Sequence, residues 1–286
     1  MSNNTKVLVT GAGGTVGSSL VAELRHLRPR LAFRSADKEA RAKAEGHETI
    51  RLDYGSPASL DRAMDGIDAV FLLGSGGLGQ EQAECAVVSA AKSAGVRKVV
   101  KLSVWSAPEE AYEIAKIHRA IERFIERSGL AFTFLRPNGF MQNFSNHMAG
   151  SIKSGAFYQP AAEAAISHVD VRDIARAAAG ALTTTRHEGK GFDLSGPEAI
   201  SYARAAAVLS EVLGKDVRYV AVSDDAAKDA MISSGMPGFY ADYLIDLNRH
   251  YRTGAGAAVS PAIEELTGRA PTSFQSFVEA HVHAFR

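Results

Sequence analysis

The sequence predicts an α/β chain built on a parallel sheet, and three observations carry the prediction. Short apolar runs alternate with longer amphipathic stretches through the first half of the chain. Those runs are apolar throughout, which suits strands covered on both faces rather than a half-wet antiparallel sheet. The first run breaks into a glycine-rich turn that opens a helical pattern. Composition agrees. The chain has 286 residues, a hydrophobic fraction of 46%, and 32 basic residues against 32 acidic ones. That balance excludes a chain dominated by disorder and argues against a nucleic-acid binder, which needs a basic excess. One cysteine, Cys85, leaves no intrachain disulfide and no cysteine-rich metal site. No apolar run reaches the roughly 18 residues of a membrane span. The polar start has no signal-peptide anatomy. A cytoplasmic protein without membrane or nucleic-acid partners is expected, as a monomer or a homodimer.

Each element follows from its pattern. Residues 7–10, 31–34, 49–53 and 69–73 read as buried strands. A helix with Val16, Leu20, Leu24 and Leu27 on one face follows the first. A helix over 83–93 precedes a strand over 96–103, and a long helix over 113–128 precedes a strand over 131–136. Strands alternating with helices imply right-handed crossovers and a doubly wound sheet. Beyond residue 150 helical patterns dominate, at 171–182, 202–213, 224–234, 239–251 and 274–285. Short strands are expected at 165–169, 191–194 and 217–222. The expected organisation is a dinucleotide-binding domain over 1–155. A smaller, mostly helical lobe over 156–286 encloses substrate, with some of its segments returning to the sheet.

The segment Thr10-Gly11-Ala12-Gly13-Gly14-Thr15-Val16-Gly17 sits between a strand and a helix. Glycines there permit a tight turn and close approach of backbone to a diphosphate, and the helix start presents unpaired N–H groups and a favourable dipole. Gly11, Gly14 and Gly17, with Thr15 and Val16 at the helix start, are the expected anion cradle of a Rossmann-type fold. The second strand ends in Arg34, followed by Ser35 and Lys38, where an NAD-specific site carries an acid. A guanidinium there can grip a 2′-phosphate in a fork, so NADPH (NADP+) is the expected cofactor. Asp53 is either an acceptor for the adenine amino group or a turn carboxylate before Ser56-Pro57. Ser59 with Arg62 gives only weak evidence of a helix cap. Leu73 and Gly74 end the fourth strand on the same edge.

Several segments together resemble the NmrA-like branch of the atypical short-chain dehydrogenase/reductases. They are Thr10–Gly17, Arg34, Leu52-Asp53 with Ser59-Leu60, residues 135–144 (LRPNGFMQNF), Phe192–Pro197 with Ser201-Tyr202, and residues 267–274 (TGRAPTSF) with Phe277. The likeness is to bacterial NADPH quinone reductases, triphenylmethane reductases and festuclavine dehydrogenases, and it spans nearly the whole chain. It implies NADP(H) binding and hydride transfer.

Ordinary short-chain dehydrogenases use a Tyr-x-x-x-Lys pair in which the Lys lowers the Tyr pKa. Tyr112 and Lys116 have that spacing. Helical periodicity, however, puts Ile114, Ile117, Ile121, Phe124 and Ile125 on the buried face, with Tyr112 and Lys116 opposite it. His118 lies on the border of that face, one turn before Glu122. The resemblance implies a polar residue, often His or Lys, at that place. His118 is therefore the first candidate proton donor, with pairing to Glu122 as its structural alternative and Tyr112 and Lys116 as the other candidates. Ser103 ends the fifth strand where a nicotinamide is expected. Asn138 and Phe140 follow the sixth strand on the cofactor side, and Trp105 and Met141 are candidates for the substrate wall. His168, Asp170 and Asp173 suggest a metal only weakly, because Asp170 suits a helix cap. His281 and His283 read as surface residues. No nucleophile elbow, HExxH or P-loop lysine occurs.

Two functional expectations follow. One is an NADPH-dependent reductase passing hydride to a small conjugated electrophile such as a quinone, enone, imine, iminium or dye-like molecule. The other is an NADP(H)-sensing regulatory protein that catalyses little and acts through a protein partner.

Overall fold

The computed structural model describes residues 5–74 and 76–286. The polar start at residues 1–4 lies outside the described residues. The first half alternates as its pattern requires: β1 (Val7–Val9), α1 (Thr15–Glu23), β2 (Arg30–Phe33), α2 (Ala36–Ala44), β3 (Glu48–Arg51), α3 (Pro57–Met64), β4 (Ala69–Leu72), α4 (Gln80–Ser93), β5 (Lys98–Leu102), α5 (Glu113–Ser128) and β6 (Ala131–Pro137). The next stretch is less regular: α6 (Gln142–Asn146), α7 (Ala149–Lys153), β7 (Ala156–Gln159), β8 (Ala165–Ile166), α8 (Val171–Thr183) and β9 (Lys190–Leu194). The chain ends with β10 (Ile200–Ser201), α9 (Tyr202–Leu213), β11 (Arg218–Ala221), α10 (Asp224–Ser233), α11 (Gly238–Arg252), α12 (Ala262–Thr267), α13 (Phe274–Ala280) and α14 (Val282–Phe285).

The main sheet has seven strands in the order β3-β2-β1-β4-β5-β6-β9. The pairs β2/β3, β1/β2, β1/β4, β4/β5 and β5/β6 are all parallel. The chain winds outward from β1 to β3 and then crosses back to β4. The strand order therefore reverses between β1 and β4, which is where doubly wound sheets bind ligands, beyond the strands' carboxyl ends. Side chains fasten that point. Thr10 Oγ1 donates to the Phe71 carbonyl at 2.9 Å and accepts from the Leu73 N–H at 2.8 Å. The glycine turn after β1 is thus tied to the end of β4.

The chain forms two compact units. The first comprises residues 1–107, 117–136 and 174–192, and the second comprises 108–116, 137–173 and 193–286. The division expected at residue 155 therefore differs from the observed one. The chain leaves the first unit directly after β6, because Met141, Phe144, Met148 and Ile152 belong to the second unit's core with Phe157, Tyr202, Leu209, Phe274 and Phe277. Most of α8 returns to the first unit. That unit's core joins Leu8, Val70, Leu72 and Val99 of the sheet to Leu60, Val87, Val88, Ile121 and Ile125 of the helices. Each such side chain, fully buried, contributes on the order of 2 kcal/mol.

Local expectations are corrected in three places. The cap of α3 is Ser56, whose Oγ accepts from the Ser59 N–H at 3.3 Å, while Ser59 itself turns back to the Asp53 N–H. Phe124, expected on the buried face of α5, is 39% exposed. His281 is half-buried, stacked on Phe277. Among the described residues no helix is long and apolar enough to cross a membrane, and no three His, Cys, Asp or Glu side chains converge as metal ligands.

In the second unit His168 is buried against Phe144 and Tyr202, and its Nδ1 has no hydrogen-bond partner among the described residues. Burial pulls its pKa down from 6.5 to about 4. The folded chain therefore holds this ring neutral where the unfolded chain would protonate it. Stability present above pH 6.5 is lost as pH falls towards 4, to a total of about 3 kcal/mol. Urea unfolding at pH 7 and pH 4.5 is expected to show a smaller acid loss in His168→Gln than in the wild type. Equal losses in the two proteins refute this assignment.

Candidate active site

Close backbone packing shapes the glycine turn. Gly11 has φ +65°, which favours a residue without a Cβ. A Cβ on Gly17 would stand 2.1 Å from the Gly11 carbonyl oxygen, so α1 starts tight against the turn only because residue 17 is glycine. Gly14 caps α1 with no side-chain bond, and Gly13, Gly14 and Thr15 are exposed. The turn therefore presents bare backbone beside the helix start.

A basic pair flanks it. Arg34 is exposed just after β2. Lys38, on the first turn of α2, donates from Nζ to the Gly13 carbonyl at 3.1 Å. Sequence reading named Lys38 only as a neighbour of Arg34. Its place over the turn depends on α2 starting at the Ser35 cap, which aims the side chain back. Asp53 is exposed, and its Oδ1 accepts from the Gly55 N–H at 3.0 Å.

Beyond β4 and β5 lies a buried polar group. Lys101, on β5, is fully buried with Glu84 of α4, their Nζ and Oε2 atoms 2.9 Å apart. Lys101 also donates to the Leu102 carbonyl, and its Nζ lies 3.1 Å from His118 Nδ1. Gln80 Nε2 donates to Glu84 Oε1 at 2.8 Å and lies 3.2 Å from His118 Nε2. Glu84 Oε1 also accepts from the Gly74 N–H at 3.2 Å, and a Cβ on Gly74 would stand 2.4 Å from that oxygen. The group thus reaches the backbone at the end of β4. Burial and the Lys101 charge hold His118 well below its ordinary pKa of 6.5, so the ring is neutral at pH 7. A buried pair such as Lys101–Glu84 persists because losing one partner strands the other, at a typical cost of about 3–5 kcal/mol.

Ser103 lies two residues beyond Lys101, on the same face by strand alternation. It is 2% exposed, and its Oγ has no hydrogen-bond partner among the described residues. Trp105 is buried nearby in sequence.

The other candidates have partners of their own. His118 does not pair with Glu122. That carboxylate is gripped by Arg136, at 2.9 Å to each oxygen, and by Arg119 at 3.1 Å. Tyr112 was expected to face solvent but is 3% exposed, because it precedes the first turn of α5 and escapes the helix register. Its ring lies 5.2 Å from that of His250, and burial pushes its phenol pKa up, with Asp246 and Glu109 adding to the shift. Lys116 is exposed and pairs with Glu113. The two therefore do not form the Tyr–Lys pair of ordinary short-chain dehydrogenases. The Asn138 amide is fully engaged in the second unit. Its Nδ2 donates to Ser167 Oγ and the Gly256 carbonyl, and its Oδ1 accepts from the Gly139 N–H, each at 2.9 Å. Phe140 is half-buried, and Met141 lies in the second unit's core. Asp170 holds the start of α8 and an ion pair with Arg172.

Lys101, Glu84 and Gln80 were not singled out from the sequence. A lysine inside an otherwise apolar strand pattern was the available signal.

A glycine turn at the switch point of a doubly wound sheet, with cations beside it, defines a dinucleotide-binding protein. Comparison with known proteins narrows the class. Residues 11–185 match an NAD(P)H-binding family. The chain is 35% identical to an NAD(P)H azoreductase of Xenophilus azovorans, covering 98% of this chain and 99% of that one. It is 37% identical to a (4-alkanoyl-5-oxo-2,5-dihydrofuran-3-yl)methyl phosphate reductase of Streptomyces griseus, again over 98% and 99%. An NADPH-dependent quinone oxidoreductase of Escherichia coli, solved with NADPH, superposes with a TM-score of 0.87 at 27% identity, covering 98% and 100%. The chain belongs to the NAD(P)H-binding, NmrA-like atypical short-chain dehydrogenase/reductases. It is an NAD(P)H-dependent oxidoreductase that binds NADPH, which decides between the two functional expectations in favour of the enzyme.

Gly17→Ala forces the Gly11 carbonyl away from α1. NADPH affinity, read by calorimetry, is expected to fall at least about tenfold, the equivalent of one charge-assisted hydrogen bond lost at the turn. Unchanged affinity in a folded variant contradicts the packing argument.

Proposed function

We propose that the chain is an NADPH-dependent reductase of small conjugated electrophiles: quinones, enones, imines or iminium ions, and azo or dye-like compounds. The observation that carries this reading is that one compact unit holds both the bare glycine turn and the buried Lys101–His118 group, joined through Gly74 and Glu84. The azo and quinone substrates named for its relatives are electrophiles of this class.

The residues fit the cofactor. The N–H groups of Thr15 and Val16 at the helix start would hold the diphosphate, with Gly11, Gly14 and Gly17 keeping side chains out of its way. Arg34 and Lys38 would grip the 2′-phosphate, the first as a fork and the second as a point charge. Leu73, Gly74 and Ser103 would line the nicotinamide end, where the unmatched Ser103 hydroxyl offers a donor. Bound NADPH supplies the hydride. His118 holds a proton on its neutral ring and donates it when the acceptor needs one, as a quinone oxygen or an azo nitrogen does. An iminium carbon needs hydride alone.

The test is NADPH oxidation, followed by absorbance, across a panel of quinones, azo dyes and iminium ions. Turnover with at least one class is expected, and none with any class rejects the reading. His118→Ala is expected to lower kcat on quinones roughly 100-fold, the usual worth of a positioned acid, while leaving NADPH affinity within about twofold. Unchanged kcat removes the role of His118. Arg34→Ala and Lys38→Ala should each weaken NADPH about tenfold and NADH hardly at all, since only NADPH carries the extra phosphate. Equal weakening of both cofactors shows that these cations do not read it.

A further inference from the structure

Both ring nitrogens of His118 face donors. Lys101 Nζ approaches Nδ1 at 3.1 Å, and Gln80 Nε2 approaches Nε2 at 3.2 Å. The Gln80 amide is held in that orientation by Glu84 Oε1, which accepts from the same nitrogen at 2.8 Å. Turning the amide over would set its oxygen against the carboxylate. A neutral imidazole has one N–H and one bare nitrogen, so it can satisfy only one of the two donors. With Lys101 as an ammonium, Nδ1 is the acceptor, and the proton on Nε2 points at an N–H group. If the group loses one proton, both ring nitrogens are matched. Nε2 then accepts from Gln80, Nδ1–H donates to the lone pair of a neutral Lys101, and the remaining two N–H bonds of Lys101 face the Leu102 carbonyl and Glu84.

We propose that Lys101 and His118 form a one-proton relay, framed by Gln80 and Glu84: when the Gln80 amide swings off His118 Nε2 and the substrate atom that takes the proton replaces it there, the relay discharges through Nε2 onto that atom. In the step, the Nε2–H bond breaks and an O–H or N–H bond forms on the substrate. A proton leaves Lys101 Nζ as the Nδ1–H bond forms, and the electron pair for reduction comes from NADPH. The group ends one proton poorer and regains it from water after product leaves. Lys101 acts through His118 and is a positioning residue and proton store, not a group that touches substrate. A histidine alone would be left as an imidazolate, so a neutral ring needs the lysine behind it. The unmatched Ser103 Oγ lies at the same sheet edge, where a polar acceptor atom has a donor to meet.

The inference rests on the proposed reductase reading, so its test has one arm without turnover. In the first arm, ¹⁵N-histidine spectra of the protein without substrate report the tautomer of His118. The Nε2–H form is expected at pH 7 in the wild type, and the Nδ1–H form in Lys101→Met/Glu84→Gln, which removes both buried charges together so that neither is stranded. The Nδ1–H form in the wild type, or no change in the double variant, overturns the relay. In the second arm, Lys101→Arg keeps the charge and cannot give up its proton. The ratio of quinone to iminium turnover is expected to fall roughly 100-fold in it and in the double variant. Equal loss on both acceptors, the mark of a purely structural role, or no loss on either, overturns the relay. If the wild type reduces neither acceptor, the reductase reading fails, while the tautomer arm still decides the proton arrangement.

Discussion

The close approach of residue 17 to the Gly11 carbonyl is the constraint on which the arrangement at the start of α1 depends. It lets α1 begin immediately beside the end of β1, so that the unpaired N–H groups of the helix face the same edge as the bare turn. Thr10 then ties this turn to Phe71 and Leu73, and so fixes its position relative to β4. Gly74, next along, makes room for the Glu84 carboxylate. A chain of short contacts thus runs from the glycine turn to the buried polar group, with glycine wherever a Cβ would break it.

The polar group is an exception to the composition of the core around it. Lys101 and Glu84 are fully shielded from water, in a unit whose core includes Val87, Val88, Val99 and Ile121. Burying such a pair is rarely a route to stability, because desolvation takes back much of the Coulombic gain. An apolar pair would pack there at no electrostatic cost. Its presence beside the neutral ring of His118 fits a site shaped for proton chemistry rather than for rigidity. The contrast with Tyr112 and Lys116 is instructive. They have the spacing of a familiar catalytic pair, yet one is buried beside His250 and the other is exposed beside Glu113.

The fold was largely legible in the residues, because its signals are local. Apolar strand runs, the glycine turn and the period of α5 each depend on neighbours close in the chain. The errors were local as well. Phe124 followed the helical period and still emerged exposed, because periodicity says which residues share a face but not how wide the covered stripe is. Tyr112 was assigned by helix register one residue before the helix begins, so the register did not apply to it. The departure of the chain from the first compact unit after Arg136 was hidden, since nothing in the composition marks where Met141 and Phe144 join another core.

What the sequence determined by itself was the doubly wound sheet, the glycine turn before the first helix, the cation after the second strand and the candidacy of His118. These rest on short-range sterics and on side-chain chemistry that does not depend on distant partners. Tertiary structure alone decided the company His118 keeps. Lys101, Glu84 and Gln80 come from a strand and a separate helix, and only the packing of α4 and α5 against β5 brings their atoms within hydrogen-bond reach. The same packing gave Glu122 to Arg136 and Arg119 instead. Burial then set the ring's charge state, a property of the surrounding dielectric and of one neighbouring ammonium, neither of which is written at position 118.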